Sequence, residues 1–101
     1  MRILDIRTRS EYEALHVCGA IHIETPRPPL SIGARRSLLH RMAALDLPVG
    51  EPVAVYCAKG IRSKIAAGLL RQLGHEVNDL GGIEDERNFA TKFHFKMCTS
   101  R

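Results

Sequence analysis

The sequence predicts an α/β domain: a small parallel sheet of about four strands flanked by helices. Three observations carry that expectation. Short apolar segments recur at residues 2–6, 20–23, 52–56 and 76–80. Segments with helical signals lie between them, and strands alternating with helices favour parallel pairing. The chain has 101 residues, enough for one core and not for two, so residues 1–101 are read as a single domain.

Each element follows from its residues. Arg2-Ile-Leu-Asp-Ile6 is short and mostly apolar, as a buried parallel strand is. Ser10-Glu-Tyr-Glu13 fits a capping box, which predicts a short helix running towards His16 and ended by Gly19. Ala20-Ile-His-Ile23 is the second strand. Pro26, Pro28 and Pro29 exclude regular structure and mark a loop. Leu38, Leu39, Met42 and Leu45 have helical spacing, which predicts a helix over 34–45, closed by residues 47–50. Pro52-Val-Ala-Val-Tyr56 is the clearest strand. A helix over 63–73 has Ser63 as its N-cap, Ile65, Ala66, Leu69, Leu70 and Leu73 as its apolar stripe, and Gly74 as its stop. Residues 76–80 form the fourth strand, and Phe89 and Phe93 suggest a terminal helix within an 83–101 tail.

Composition narrows the function classes. Hydrophobic residues are 45% and charged residues 26%, as in an ordinary globular domain. No apolar run approaches the ~20 residues of a membrane span. No signal peptide is expected, because Asp5 and Arg7 interrupt the N-terminus before any apolar core can form. Fifteen basic and eleven acidic residues give a net charge of +4, which suits an anionic substrate. Nucleic acid is not expected as a partner: the basic residues are scattered and the five aromatics do not interleave with them. Cys18, Cys57 and Cys98 are odd in number and widely spaced, unlike a disulfide framework, so a reducing cytoplasm is the expected compartment.

Chemistry concentrates in the loop Cys57-Ala-Lys-Gly-Ile-Arg62-Ser63, between the clearest strand and the clearest helix. In parallel sheets, ligands bind beyond the carboxyl ends of the strands. The first N–H groups of the following helix lack intrahelical partners and favour an anion, and a thiolate is one. Lys59 and Arg62 add cations, and Gly60 lets the backbone curl so that N–H groups converge. A free cysteine at a strand end is ordinarily a small buried hydrophobe. The surrounding Lys59, Gly60, Arg62 and Ser63 tip the reading towards a nucleophile.

With this loop in place the chain resembles the rhodanese family of sulfurtransferases from Ile3 to Gly82. The resemblance rests on Leu4-Asp5-Ile6-Arg7, Glu11-Tyr12, His16, Gly19-Ala20-Ile21-His22-Ile23, Val55-Tyr56-Cys57, Gly60-Ile-Arg62-Ser63, Leu73-Gly74, and Val77 to Gly82 in order. It implies a catalytic Cys57 that carries a persulfide sulfur from an anionic donor such as thiosulfate to cyanide or a thiol. Ala58, Lys59, Gly60, Ile61, Arg62 and Ser63 would bind the substrate. Asp5 and Arg7 would support the loop, with Asp5 accepting its N–H groups or pairing with Arg62, or would form a plain strand-end salt bridge. No metal or cofactor is expected; a sulfur-relay protein is a candidate partner. The chain begins at the Asp-x-Arg strand, so the sheet is expected to lack a strand that members usually place before it. Residues 83–89 (Ile-Glu-Asp-Glu-Arg-Asn-Phe) stand where a tryptophan commonly follows the Gly-Gly pair.

Two other functions stay open. A sulfur-carrying or binding module of the same fold would keep the loop without turnover. A cysteine-dependent phosphatase or arsenate reductase also builds a cradle after a strand, but with five residues between Cys and Arg where this chain has Ala58, Lys59, Gly60 and Ile61. A zinc site from His16, Cys18, His94 and Cys98 has no supporting spacing. His16 is read instead as a hydrogen-bonded structural residue, and Arg35, Arg36 and Arg41 as a solvated helix face.

Overall fold

A computed structural model describes residues 1–48, 50–84 and 88–100. Its elements run β1 (Arg2–Asp5), α1 (Arg9–Ala14), β2 (His16–Val17), β3 (Ile21–His22), α2 (Ile32–Ala43), β4 (Val53–Cys57), α3 (Ile61–Gln72), β5 (Val77–Gly82), α4 (Phe89–Phe93) and β6 (Met97–Cys98). Four strands form the expected parallel sheet in the order β3–β1–β4–β5. The chain starts near the middle, at β1, steps outward to β3, and returns to β4 on the other side of β1. Strand order therefore reverses between β1 and β4, and a crevice opens there beyond their carboxyl ends. Cys57 ends β4 at that crevice.

Every residue of β4 is buried, as a central parallel strand requires. Alternation then sends its side chains to two different cores. Val53, Val55 and Cys57 pack with Leu4, Ile6, Leu38 and Met42 and with Ala66, Ala67 and Leu70, the last three from α3. Tyr56 points the other way, into a cluster with Val17, Ala20 and Phe89, against which Phe93, Phe95 and Met97 pack.

Several boundaries differ from the sequence reading. The first helix is capped by Thr8, not Ser10: the Thr8 hydroxyl accepts from Glu11 N–H and the Glu11 carboxylate from Thr8 N–H. Thr8-x-x-Glu11 and Ser10-x-x-Glu13 both fit the capping pattern, and the pair two residues earlier forms. That helix ends at Ala14, and Gly19 (φ 83°) sits in a later turn. Ser31 starts α2, so the helix lies two residues before the expected 34–45. Gly60, not Ser63, is the N-cap of α3. Val49, within the expected close of α2, and residues 85–87, within the 83–89 segment, lie outside the described residues.

The strands β2 and β6 form a separate antiparallel pair, His16 opposite Cys98 and Val17 opposite Met97. The pairing brings the Cα atoms of Cys18 and Cys98 to 5.0 Å, and the two residues form a disulfide across 80 residues of chain. The expectation of unpaired cysteines is corrected here: two strands too short to show a pattern bring distant cysteines together, and Cys57 alone is free among the described residues. With the two cysteines bonded, the cysteine count no longer points to a reducing compartment. No helix among the described residues is long and apolar enough to cross a membrane.

Candidate functional site

The site begins with the turn that follows β4. Gly60 adopts φ 94°, a left-handed conformation that glycine takes at little cost. This turn folds the chain back so that Gly60 N–H donates to Cys57 Sγ at 3.0 Å and Ser63 N–H donates at 3.3 Å. The sulfur thus does what a side-chain N-cap would do, accepting from N–H groups at the start of α3. Ser63 Oγ donates to the Gly60 carbonyl at 3.2 Å and locks the same turn. Of the N–H groups expected to converge on the sulfur, these two do so.

The turn is braced from β5. Ile83 N–H donates to the Cys57 carbonyl at 2.9 Å, and Glu84 N–H to the Ala58 carbonyl at 2.8 Å. Just before them, Gly82 lies so near the loop that a β-carbon there would stand 2.3 Å from Ala58 O and 2.5 Å from Lys59 Cα. Only glycine fits. The Gly-Gly pair is legible in the sequence as a strand end, but its contact with the cysteine loop is not.

Cys57, Ala58, Lys59, Ile61 and Arg62 share the wall of a cavity of about 210 Å³ with Arg27, Pro28 and Glu84. That is below the ~300–1,000 Å³ typical of organic-ligand pockets, so the space suits a small molecule. Cys57 is 1% exposed and lies at the floor; Lys59 and Ile61 are exposed at the rim.

Arg62 departs from the expected arrangement. Its guanidinium is buried and donates to both oxygens of Glu11, at 3.0 and 3.2 Å, and to the Thr25 carbonyl at 3.3 Å. In the sequence Glu11 belongs to the resemblance but is given no role at the site. Burial pushes its pKa up, but hydrogen bonds from Arg62 and Thr8 outweigh that and bring it down to about 2.

Asp5 does not pair with Arg62 or accept from the loop, which corrects the expectation for it. Its carboxylate takes the Arg7 backbone N–H at 3.0 Å, the Arg7 guanidinium at 2.8 Å and the Tyr56 hydroxyl at 2.6 Å. The reason is register: Asp5 stands opposite Tyr56, so the nearest donor across the strands is the phenol. Tyr56 in turn accepts from Val17 N–H at 3.0 Å. Burial first, and then the Asp5 carboxylate, push the Tyr56 pKa up. Burial works against the charge on Arg7, yet its bonds to Asp5 hold its pKa above the usual value. Asp5 and Arg7 thus join β1 to β4 one residue before the cysteine, the strand-end salt bridge of the plainer reading.

Two histidines, His16 and His22, are held by contacts within the fold. His16 is buried and bonds the Tyr12 carbonyl through Nδ1 at 2.7 Å, and its ring stacks on Tyr12 at 3.8 Å. His22 stacks against Tyr12 at 4.3 Å. Cys18 and Cys98, consumed by their disulfide, have no thiolates to offer a metal.

Comparison with known proteins identifies the family and the fold. The family model for the Rhodanese-like domain matches residues 1–85. The chain is 30% identical over 87 residues to "Putative sulfur carrier protein YrkF" of Bacillus subtilis (strain 168), covering 84% of this chain but 40% of that protein. This chain therefore spans less than half the length of that relative. Among solved structures, a rhodanese with anions from E. coli superposes with a TM-score of 0.69 at 24% identity, covering 97% of this chain and 96% of that one. The Rhodanese_3 like domain of the Anabaena sp. Alr3790 protein gives 0.71 at 24% identity, covering 100% and 94%. At those identities the two structures establish the fold.

Proposed function

The chain belongs to the rhodanese-like family, and from that premise we propose that it is a sulfurtransferase whose Cys57 carries sulfane sulfur as a persulfide. The observation that carries the reading is the pair of N–H groups, from Gly60 and Ser63, that converge on Cys57 Sγ at the floor of a small cavity.

In the proposed first step the Cys57 thiolate attacks the outer sulfur of thiosulfate. The new bond is Cys57 S–S; the bond broken joins the outer sulfur to the sulfonate sulfur, and sulfite leaves with that electron pair. The enzyme then holds Cys57–S–S⁻. Cyanide or a thiolate attacks the terminal sulfur, departs as thiocyanate or a new persulfide, and returns the electron pair to Cys57. No general base is needed when the cysteine reacts as thiolate. Backbone donors that already point at Sγ can follow the charge outward by one sulfur, with little rearrangement. Lys59 would favour approach of the anionic donor. Arg62, expected from the resemblance to bind the donor, would act mainly by holding the first turn of α3 through Glu11.

A second reading has a specific observation behind it. The Bacillus subtilis relative is named as a sulfur carrier, and a carrier needs the same persulfide but hands its sulfur to a partner protein. The cytoplasm, where thiol acceptors are at hand, stays the proposed compartment, and the Cys18–Cys98 disulfide would have to persist there.

The test is thiocyanate formation from thiosulfate and cyanide. Wild-type protein should turn over, and Cys57→Ser should be inactive with an unchanged fold. A persulfide that forms on Cys57 without turnover would favour the carrier. Full activity in Cys57→Ser would defeat both.

A further inference from the structure

Three basic residues line the Cys57 cavity: Arg27, Lys59 and Arg62. Their charges are not equally available. Arg62 spends two guanidinium N–H groups on Glu11 and one bond on a backbone carbonyl, with 3% of its side chain exposed. An approaching oxyanion meets a pair already neutralised. Arg27 is the opposite case. Its side chain is 67% exposed, and its one ion pair among the described residues is a loose 4.0 Å contact to Glu11 Oε2. Glu11 is already held by Arg62 at 3.0 Å, so it has little to offer a second guanidinium. Exposed contacts of that kind contribute little and exchange readily.

The loop gives Arg27 a fixed base. Pro26 and Pro28 flank it, Pro29 follows, and Thr25 before it is wholly buried, with its N–H on the Arg7 carbonyl and its carbonyl on Arg62. Prolines restrict the backbone, while the guanidinium keeps the length and freedom to reach inward. Planar guanidinium also matches carboxylate and sulfonate oxygens two at a time, which an ammonium does not.

We infer that Arg27 is the anion-receiving residue of this site: it leaves Glu11 and binds the oxyanion end of the sulfur donor while Cys57 attacks the other end. The ligand class is a small donor that carries a sulfonate or carboxylate near its reacting sulfur. Lys59 reinforces the charge at the rim; Pro28 and Ile61 supply apolar wall for the rest of the donor. Arg27 is a specificity residue under this inference, and nothing in the sequence marks it, since it lies in a proline-rich loop 30 residues before the cysteine.

The inference rests on the proposed role of Cys57, so its test does not depend on turnover. Cys57 is alkylated with iodoacetate, an anion, and with iodoacetamide, its neutral counterpart, and the rates are read on the Cys57 peptide. In Arg27→Ala the iodoacetate rate should fall roughly three- to fivefold at low ionic strength, with the iodoacetamide rate unchanged, and raised salt should erase the difference. Arg27→Lys should recover most of the iodoacetate rate. For thiosulfate the same Arg27→Ala change should raise KM and leave kcat nearly constant. An unchanged ratio of the two alkylation rates overturns the inference, and so does an equal fall in both, since the side chain would then be shaping the pocket rather than supplying charge. A changed ratio in a protein that never acquires sulfur from thiosulfate would leave Arg27 as an anion receiver and remove the sulfurtransferase reading.

Discussion

Arg62 and Glu11, 51 residues apart in sequence, close on each other through two hydrogen bonds of 3.0 and 3.2 Å and tie α1 to the first turn of α3. Both side chains are nearly out of contact with solvent. Removing one partner strands the other, and breaking a buried pair in this way costs about 3 kcal/mol or more. Glu11→Gln should therefore lower the melting temperature by several degrees. It should also slow Cys57 chemistry, because α3 begins at the residues that donate to the sulfur.

The same pair sets an acid limit. The Glu11 pKa is about 2 in the folded chain against 4.5 as the ordinary value. A carboxyl whose folded pKa is depressed contributes stability that is fully present above about pH 4.5 and is lost as pH falls towards about 2. Stability measured by denaturant should show wild type and Glu11→Gln converging across that window. A constant difference from pH 6 down to pH 2 would show that the ion pair is not the source.

Gly82 should not tolerate a side chain. A β-carbon would stand 2.3 Å from Ala58 O, so Gly82→Ala must displace the turn that follows Cys57. Strain of this kind costs ~1–3 kcal/mol, and displacement of the sulfur's donors should reduce sulfur transfer by roughly tenfold or more. Gly33→Ala is the control, since its nearest neighbour would be 3.8 Å away and it lies in α2. Equal activity in the two variants would remove the role assigned to the Gly82 contact.

Tyr56 carries a buried side-chain contact between β1 and β4. Tyr56→Phe leaves Asp5 and the Val17 N–H each short of one partner, at ~1–3 kcal/mol. The Tyr56 pKa is raised on folding, so the neutral phenol's contribution is fully present below about pH 10 and is lost as pH climbs above it. Wild type should lose stability above pH 10 more steeply than Tyr56→Phe. Parallel alkaline curves would contradict this.

The Cys18–Cys98 disulfide closes a loop over 80 residues of separation and pins β6 to β2, beside the Phe89, Phe93 and Phe95 cluster. Opening it should cost about 2–5 kcal/mol. Thermal melts with and without reductant should separate for wild type and coincide for the Cys18→Ser, Cys98→Ser double variant. Coincident wild-type curves would mean that the bridge does not stabilise the fold.

Legibility from sequence follows the range of each interaction. The Cys57 to Ser63 loop could be read because its geometry is local: a strand end, a glycine at positive φ and a helix start lie within seven residues. The sheet could be read because each strand carries its own apolar pattern, and β4 carries it most clearly. Glu11 and Arg27 could not be found as site residues, because each sits beside the site only once β1, β3 and β4 are paired, and nothing near them in sequence marks the partner. For Asp5 the sequence leaves loop support and a strand-end salt bridge both open, because only the register sets it opposite Tyr56. β2 and β6 are two residues each, too short for any periodicity, so the cysteines they bring together looked independent. The cap at Thr8 also meets a distant partner, since Glu11 Oε1 accepts from both Thr8 N–H and Arg62.

The measurement that tests the central claim most directly is intact and peptide mass spectrometry after incubation with thiosulfate, with unreacted donor removed and no reductant present. The account predicts a gain of one sulfur atom, confined to the Cys57 peptide, reversed by cyanide and absent in Cys57→Ser. No added sulfur on Cys57, or added sulfur that persists in Cys57→Ser, would contradict it.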